Sequence, residues 1–496
     1  NSPSKTTKEM ALTAIAATSV AAEKEFLPFA DTICGLLQPL LFATEEKDIT
    51  LRGRALECLG HIAVALGKEL FAKYFPMGMQ SALASLQMEN ETIKEYAYVF
   101  FANTAKIMQE QLGPSIDTIL PAICESIGEL ELELDIGSDE EEEYDEEGSD
   151  DEDGRGYKVT DGIVQTKKAA ITALGTLAQH CGPAVFTAAH LEQGFKVLME
   201  DGLQTVHSEV RAEVLEVLGY MIDSAVFHFG PVTGLPKEPK KGVAHPLAPQ
   251  LTHIATVALG TLLKTMVHDD EKRVVAAAIE SIAHILEKIG MAGLALQATI
   301  PDTDDEEWVG MQIVQVLMQA LTTAVMEKST CQTQQVEHGD DDDDDDEDHD
   351  HELMDQVSDL IGVLAKVLGE QFVPYFDTMA APLLKFTKPQ RAHTDRSMAI
   401  GCFAEVIGEI GAASMKFVDA LLPAIQSGLQ DPMEGVRRNC AYCIATLVHS
   451  TGDAMVPNFM TLLQWLSPLC TRTADKAASD TGGADIDNAL SAVARM

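Results

Sequence analysis

The chain has 496 residues, 46% of them hydrophobic but only 5% aromatic, with 35 Gly and 20 Pro. That balance favours Ala/Leu-rich helices and excludes a collagenous or wholly disordered chain. Lys and Arg total 35 against 78 Asp and Glu, a formal charge of −43, which argues against direct nucleic-acid binding and for basic partners.

The first predicted helix, KEMALTAIAATSVAAEKEF, reads as the second member of a helix pair. It is followed by DITLRGRALECLGHIAVALG, where Leu56, Leu59, Ile62, Ala63 and Leu66 share one face at helical period. Comparable charged-start helices recur as SEVRAEVLEVLGYM, EKRVVAAAIESIAHILEKIG and EGVRRNCAYCIATLVHSTG. Helical segments end near Gly67, Gly113, Gly182, Gly230, Gly290, Gly369, Gly411 and Gly452, the residue type that tolerates a positive-φ cap. Phe75-Pro76, Leu120-Pro121, Val373-Pro374, Leu422-Pro423 and Val456-Pro457 are expected at the entries of the first helices, where proline loses no hydrogen bond. Most successive glycines lie about 40–48 residues apart, the spacing of two-helix HEAT units. The expectation is an all-α solenoid of antiparallel helix pairs, continuous over 1–496 and truncated at both ends.

Three longer gaps are read as insertions. Residues 129–153 hold 16 acids and no base, and residues 337–355 hold 13 and no base, so two short tracts carry most of the charge imbalance. They are expected as disordered acidic insertions over 129–153 and 337–352, whose outer parts extend the flanking helices. Their densest runs are Asp139, Glu140, Glu141, Glu142 and Glu143, and Asp341, Asp342, Asp343, Asp344, Asp345 and Asp346. A Pro/Lys loop occupies 231–248.

Chemistry-bearing motifs are scarce. The chain contains no phosphate loop, nucleophile elbow or H-E-x-x-H, so catalysis, a cofactor and a metal are not expected. Cys440 and Cys443 form a C-x-x-C in mid-helix and read as core residues; the 9 scattered cysteines make no disulfide framework. His338, His349 and His351 beside aspartates lack the fixed geometry of a selective metal site. Ser138 and Ser149 precede acids and suit an acidophilic kinase, though an unmodified loop fits equally. Trp308 and Trp465 read as core residues of first helices. No uninterrupted apolar run approaches the ~18 residues of a membrane span and no signal peptide is evident, so a soluble intracellular protein is expected.

The repeat units resemble importin-β-type karyopherins, most closely the importin four and importin five subgroup. The resemblance is carried by Cys331-Gln332 before an acidic loop, LIGVLAKVLGEQFVPYFDTMAAPLLKF, LLPAIQSGLQDPMEGVRRNCAYCIATLVHSTG and DNALSAVARM, and earlier by RGRALECLGHIAVALGKELF and the YKV after the first acidic tract. It implies a nuclear import receptor, the C-terminal half of one, shuttling between cytoplasm and nucleus. It further implies basic cargo such as histones and ribosomal proteins, phenylalanine-glycine nucleoporins on the outer helices, and Ran-GTP in the full-length protein. Polar residues on second helices are the candidates for lysine capture: Glu57, Tyr98, Glu216, Glu280, Glu405, Glu409, Asn439 and Asn488. A carboxylate or amide oxygen accepts from an ammonium, and an aromatic face adds ~0.5–1 kcal/mol of cation–π attraction. A HEAT scaffold for a multiprotein assembly and an acidic histone chaperone are the alternatives.

Overall fold

The computed structural model describes residues 4–129, 132–134, 157–159, 161–230, 241–299, 308–335, 344–471 and 483–496. They form two compact units, Asn1–His228 and Phe229–Met496, each an all-α solenoid of HEAT type.

In the first unit, α1 (Lys5–Ala22), α3 (Ile49–Phe71), α5 (Glu91–Met108) and α7 (Asp161–His180) stack side by side as second helices. The first helices, α2 (Leu27–Leu41), α4 (Phe75–Ser85), α6 (Ile116–Gly128) and α8 (Ala188–Glu200), form the other layer, and α9 (Ser208–Phe229) follows α7. Leu56, Leu59, Ile62, Ala63 and Leu66 are buried between the layers, as their spacing predicts. Arg52, itself buried, ties α3 to α4 by donating to the Ser81 carbonyl at 3.1 Å and to Ser85 Oγ at 2.9 Å.

In the second unit, α11 (Lys272–Ile289), α14 (Asp344–Leu368), α16 (His393–Ile410), α18 (Glu434–Thr451) and α20 (Ala484–Arg495) stack in the same way. Their partners are α10 (Pro249–His268), α13 (Ile313–Gln335), α15 (Val373–Phe386), α17 (Val418–Gly428) and α19 (Phe459–Cys470), with a short α12 (Met291–Leu294) after α11. Arg396 on α16 forks onto Asp431 at 2.8 and 3.0 Å. One repeat later, Arg437 on α18 donates to Asp485 of α20 at 2.7 Å. Residues 393–428 pass for a membrane span by length and composition, but they are two helices, and more than half of the most apolar window faces the interior of this unit.

The period is visible in the hydrogen bonds themselves. Lys68 pairs with Glu110, Lys168 with Glu209, Thr172 with Glu213 and Asn439 with Ser397, each 41 or 42 residues apart. A second helix therefore meets its counterpart in the next repeat and little beyond it.

The helix-ending residues refine the expectation. Gly67, Gly230, Gly290, Gly369, Gly411 and Gly452 all have positive φ, but Gly113 and Gly182 do not. The torsions, φ 60° and ψ −134° at Gly411 for example, are not the left-handed helical cap but the mirror image of extended backbone, a region nearly reserved for glycine. Where the glycine is missing the chain still makes the turn, with Glu23 at φ 46° and Gln109 at φ 43°. Gln109→Gly should therefore stabilise the fold by about 1 kcal/mol by removing backbone strain, read as a higher urea midpoint with an unchanged slope.

Other expectations are corrected. Pro76 and Pro374 do start α4 and α15, but Pro121 and Pro423 lie inside α6 and α17, because each of those helices begins earlier, after a 3-10 stretch, and Pro457 lies in the 3-10 stretch before α19. Trp308 is buried but precedes α13, stacked 5.8 Å from the His268 ring. Parts of the segments read as acidic insertions, 129–153 and 337–352, have regular backbone. Leu132–Leu134 pairs antiparallel with Tyr157–Val159 in a three-residue ladder, and the helical backbone of α14 starts at Asp344, so Asp344, Asp345 and Asp346 are helical. Asp139, Glu140, Glu141, Glu142, Glu143, Asp341, Asp342, Asp343, Ser138, Ser149, His338 and residues 231–240 lie outside the described residues.

Candidate functional site

A second helix in the middle of a stack is covered on one side by its first helix and on two others by neighbouring second helices. Only a narrow strip remains for solvent, recurring at i, i+4 and i+7. In the second unit these strips align into a groove of about 580 Å³ across α11, α14, α16 and α18. Five acids line it: Glu280 and Glu287 from α11, Asp359 from α14, and Glu405 and Glu409 from α16. Tyr442 of α18, 45% exposed, closes one end.

Two of the five acids already hold a cation. Lys366 Nζ lies 2.9 Å from Glu287, and Lys241 pairs with Glu409. Asp359 and Glu405 have no cation partner among the described residues. Burial, followed by the neighbouring Asp355, pushes the Asp359 carboxyl above the usual carboxylate range. Burial and then Asp359 do the same to Glu405. Asp359 and Glu405 are both exposed, though Glu405 Oε2 lies against the α14 backbone, where a β-carbon on Gly362 would stand only 2.4 Å away. Like charges near one another favour whatever positive group can reach them.

The structure thus gathers three of the eight predicted residues, Glu280, Glu405 and Glu409, into one groove. Asn439 and Asn488 are spent on neighbours: the first donates to the Ser397 carbonyl and hydroxyl, both at 2.9 Å, and the second to the Arg438 carbonyl at 3.2 Å. Glu57 pairs with Arg54 at 2.9 Å in the first unit, where Glu216 also lies, on α9. Tyr98 is overturned as a capture residue. It is 1% exposed, and its hydroxyl donates to the Ala122 carbonyl and meets Ser126 Oγ at 2.9 Å, because α6 packs over that face of α5.

Sequence reasoning missed Glu287, Asp359, Tyr442 and Lys241. The i, i+4, i+7 strip through Glu280, His284 and Glu287 was available as a signal, as was the equivalent strip through Asp359, Val363 and Lys366. The contact of Lys241 with α16 spans 168 residues and leaves no local trace.

The other candidate chemistry recedes. Cys440 and Cys443 are buried; burial raises the Cys443 thiol to about 12 and Cys440 well above its ordinary value, so neither is a ready thiolate. Among the described residues no cluster of His, Cys, Asp and Glu could hold a metal ion.

Stacked helix pairs whose second helices lie side by side define a HEAT-type helical-repeat solenoid. The family scan agrees, matching residues 308–389 to "Importin repeat 6" and 421–450 to the HEAT repeat.

The chain is similar to importins over nearly its whole length. It is 24% identical to the probable importin subunit beta-4 of Schizosaccharomyces pombe, over 99% of this chain and 45% of that protein. It is 28% identical to importin-4 of Mus musculus, over 94% of this chain and 42% of that protein. The chain therefore spans less than half the length of the curated relatives it matches. In fold it resembles the karyopherin Kap121p bound to the SUMO protease Ulp1p, with TM-score 0.67, 15% identity, and coverage of 98% of this chain and 42% of that one. Kap121p bound to RanGTP matches with TM-score 0.62, 15% identity, and coverage of 100% and 43%.

Proposed function

We propose that this chain is the part of a nuclear import receptor that holds basic cargo, gripping lysine side chains of histone-like or ribosomal proteins in the groove of α11, α14, α16 and α18. The observation that carries the reading is the pair Asp359 and Glu405, two exposed carboxylates lining one groove without a cation among the described residues, both held above the usual carboxylate range. An ammonium entering there relieves their repulsion. Tyr442 offers a ring face at the groove's end, and the stretch of second helices suits an extended peptide. The proposal extends to the longer protein: a single array through 1–496, phenylalanine-glycine nucleoporins and Ran-GTP as further partners, shuttling between cytoplasm and nucleus, and no catalytic role.

The test is titration of a fluorescent lysine-rich peptide at several salt concentrations and pH values. Affinity should fall at least about tenfold between ~50 and ~500 mM salt, since a multi-charge contact is screened. It should also fall with acidification from a pH above the usual carboxylate range, because Asp359 and Glu405 take up protons early and lose the charge that attracts lysine. Affinity indifferent to both would reject the proposal. Equal binding by isolated peptides of residues 129–153 or 337–355 would favour the acidic-chaperone reading instead.

A further inference from the structure

Among the described residues, the segment that opens at Lys241 reaches the groove from outside the stacked pairs. It lies on the C-terminal ends of two second helices. Such ends carry carbonyls that lack an intrahelical donor and the negative pole of the helix dipole. Gly242 N–H donates to the carbonyl of Val367 in the last turn of α14 at 2.8 Å. Gln371, just beyond that helix, returns a bond from Nε2 to the Gly242 carbonyl at 3.3 Å. The Lys241 ammonium reaches the last turn of α16, where it meets the Glu409 carboxylate and lies 3.3 Å from the Glu409 carbonyl. The fit is close. Lys241 Cβ is 3.1 Å from where a side chain on Gly369 would begin, and Gly369 is the positive-φ residue that ends α14.

Every element of this contact is chemistry an incoming basic peptide would also use: an ammonium on a groove acid, and a main-chain donor and acceptor satisfied by the receptor. We infer that Glu409, the Val367 carbonyl and Gln371 form a lysyl-glycine subsite which the chain fills from its own sequence, so that Lys241 is a tethered competitor for basic cargo. Tethering gives it a high effective concentration, so it raises the threshold for weak or singly charged ligands. A cargo with several lysines gains Asp359 and Glu405 first and then displaces the strap. The subsite rests on the functional reading above, but the self-contact can be tested apart from it.

The experiment compares the intact chain with Lys241→Ala and with the double variant Lys241→Ala/Glu409→Gln, using two probes. One is an unrelated lysine-rich peptide; the other is a synthetic peptide of residues 236–244, which contains Lys241 and Gly242. Lys241→Ala should bind the lysine-rich peptide about threefold more tightly or better, since a self-filled site weakens apparent affinity by its vacant fraction. It should also bind the 236–244 peptide in trans, and the double variant should lose both gains. Saturating the intact chain with the lysine-rich peptide should strip the Gly242 amide of its protection from hydrogen exchange. If the intact chain binds the lysine-rich peptide, unchanged or weaker binding by Lys241→Ala overturns the inference and leaves the cargo reading standing. Failure of the 236–244 peptide to bind Lys241→Ala overturns it too. Binding of the 236–244 peptide alone, with none of the lysine-rich peptide, supports the self-docking subsite and rejects the cargo reading.

Discussion

Reversing the charge at the centre of the groove, with Asp359→Lys and Glu405→Lys together, should cost the protein at least about 100-fold in affinity for a lysine-rich peptide, some 3 kcal/mol. The loss has two parts. The two carboxylates disappear, and the new ammoniums repel ligand lysines in a groove that already contains Lys366. The informative companion is the neutral pair Asp359→Asn and Glu405→Gln, which should weaken binding less while raising the urea midpoint. In the native fold both acids titrate above their usual range, so the folded state binds protons more readily than the unfolded one. Stability attributable to them is present at low pH and is lost as pH rises through the raised values. At neutral pH the folded protein bears that penalty, and the amides remove it. Stability rising while affinity falls is the signature of residues kept for a partner, not for the fold. If the neutral pair left the midpoint unchanged and binding intact, the groove would be an ordinary solvated face. Circular dichroism on the lysine variant separates lost affinity from lost structure.

The second large effect is structural. Arg437→Ala should detach α20, with a loss of about 3–5 kcal/mol from its docking, because Asp485 is 2% exposed and would lose the guanidinium that joins it to α18. Arg437 also donates from Nη1 to the carbonyls of Asp431 and Pro432 at 2.7 and 2.8 Å, fixing the turn before its own helix. The loss should stay local, since α20 meets the rest of its unit chiefly through α18 and α19. Hydrogen exchange would then show α20 unprotected while α14 and α16 keep their protection. A cooperative collapse of the whole unit would contradict the neighbour-only picture. The companion pair responds to acid. Burial pulls the Asp431 carboxyl up, yet the Arg396 fork and the Met433 amide outweigh it and hold it below the usual range. Its contribution is full above the ordinary carboxylate pKa and is lost only as pH falls through the lowered value.

The repeat was legible because it is written in periodic signals: apolar spacing within helices and glycines mostly about 40–48 residues apart. Where a repeat broke the pattern, reading by composition erred. Gln109 and Glu23 make the same turn under strain, and nothing about those residue types advertises it. Leu120-Pro121 and Leu422-Pro423 were given the meaning that holds for Phe75-Pro76, but a helix can begin five or so residues before its proline when a 3-10 turn leads it in. The groove was half legible. Glu280, Glu405 and Glu409 follow from acids on second helices, whereas Tyr98 failed because a polar tip on a helix does not reveal which neighbour covers it. Lys241 could not be placed at all, for its partner lies on a helix formed 168 residues later.

The 41- and 42-residue spacing of the bonds between second helices also bears on how the chain acquires its structure. Each layer needs only the next one to be complete, so loop-closure costs stay small and ordering can begin at any pair and spread outward. During synthesis, a layer can lock as soon as roughly forty further residues have emerged. The Lys241 strap is the exception within the second unit: it precedes every helix of the groove yet waits 168 residues for its partner on α16, so it can fill the subsite as soon as that part of the stack exists.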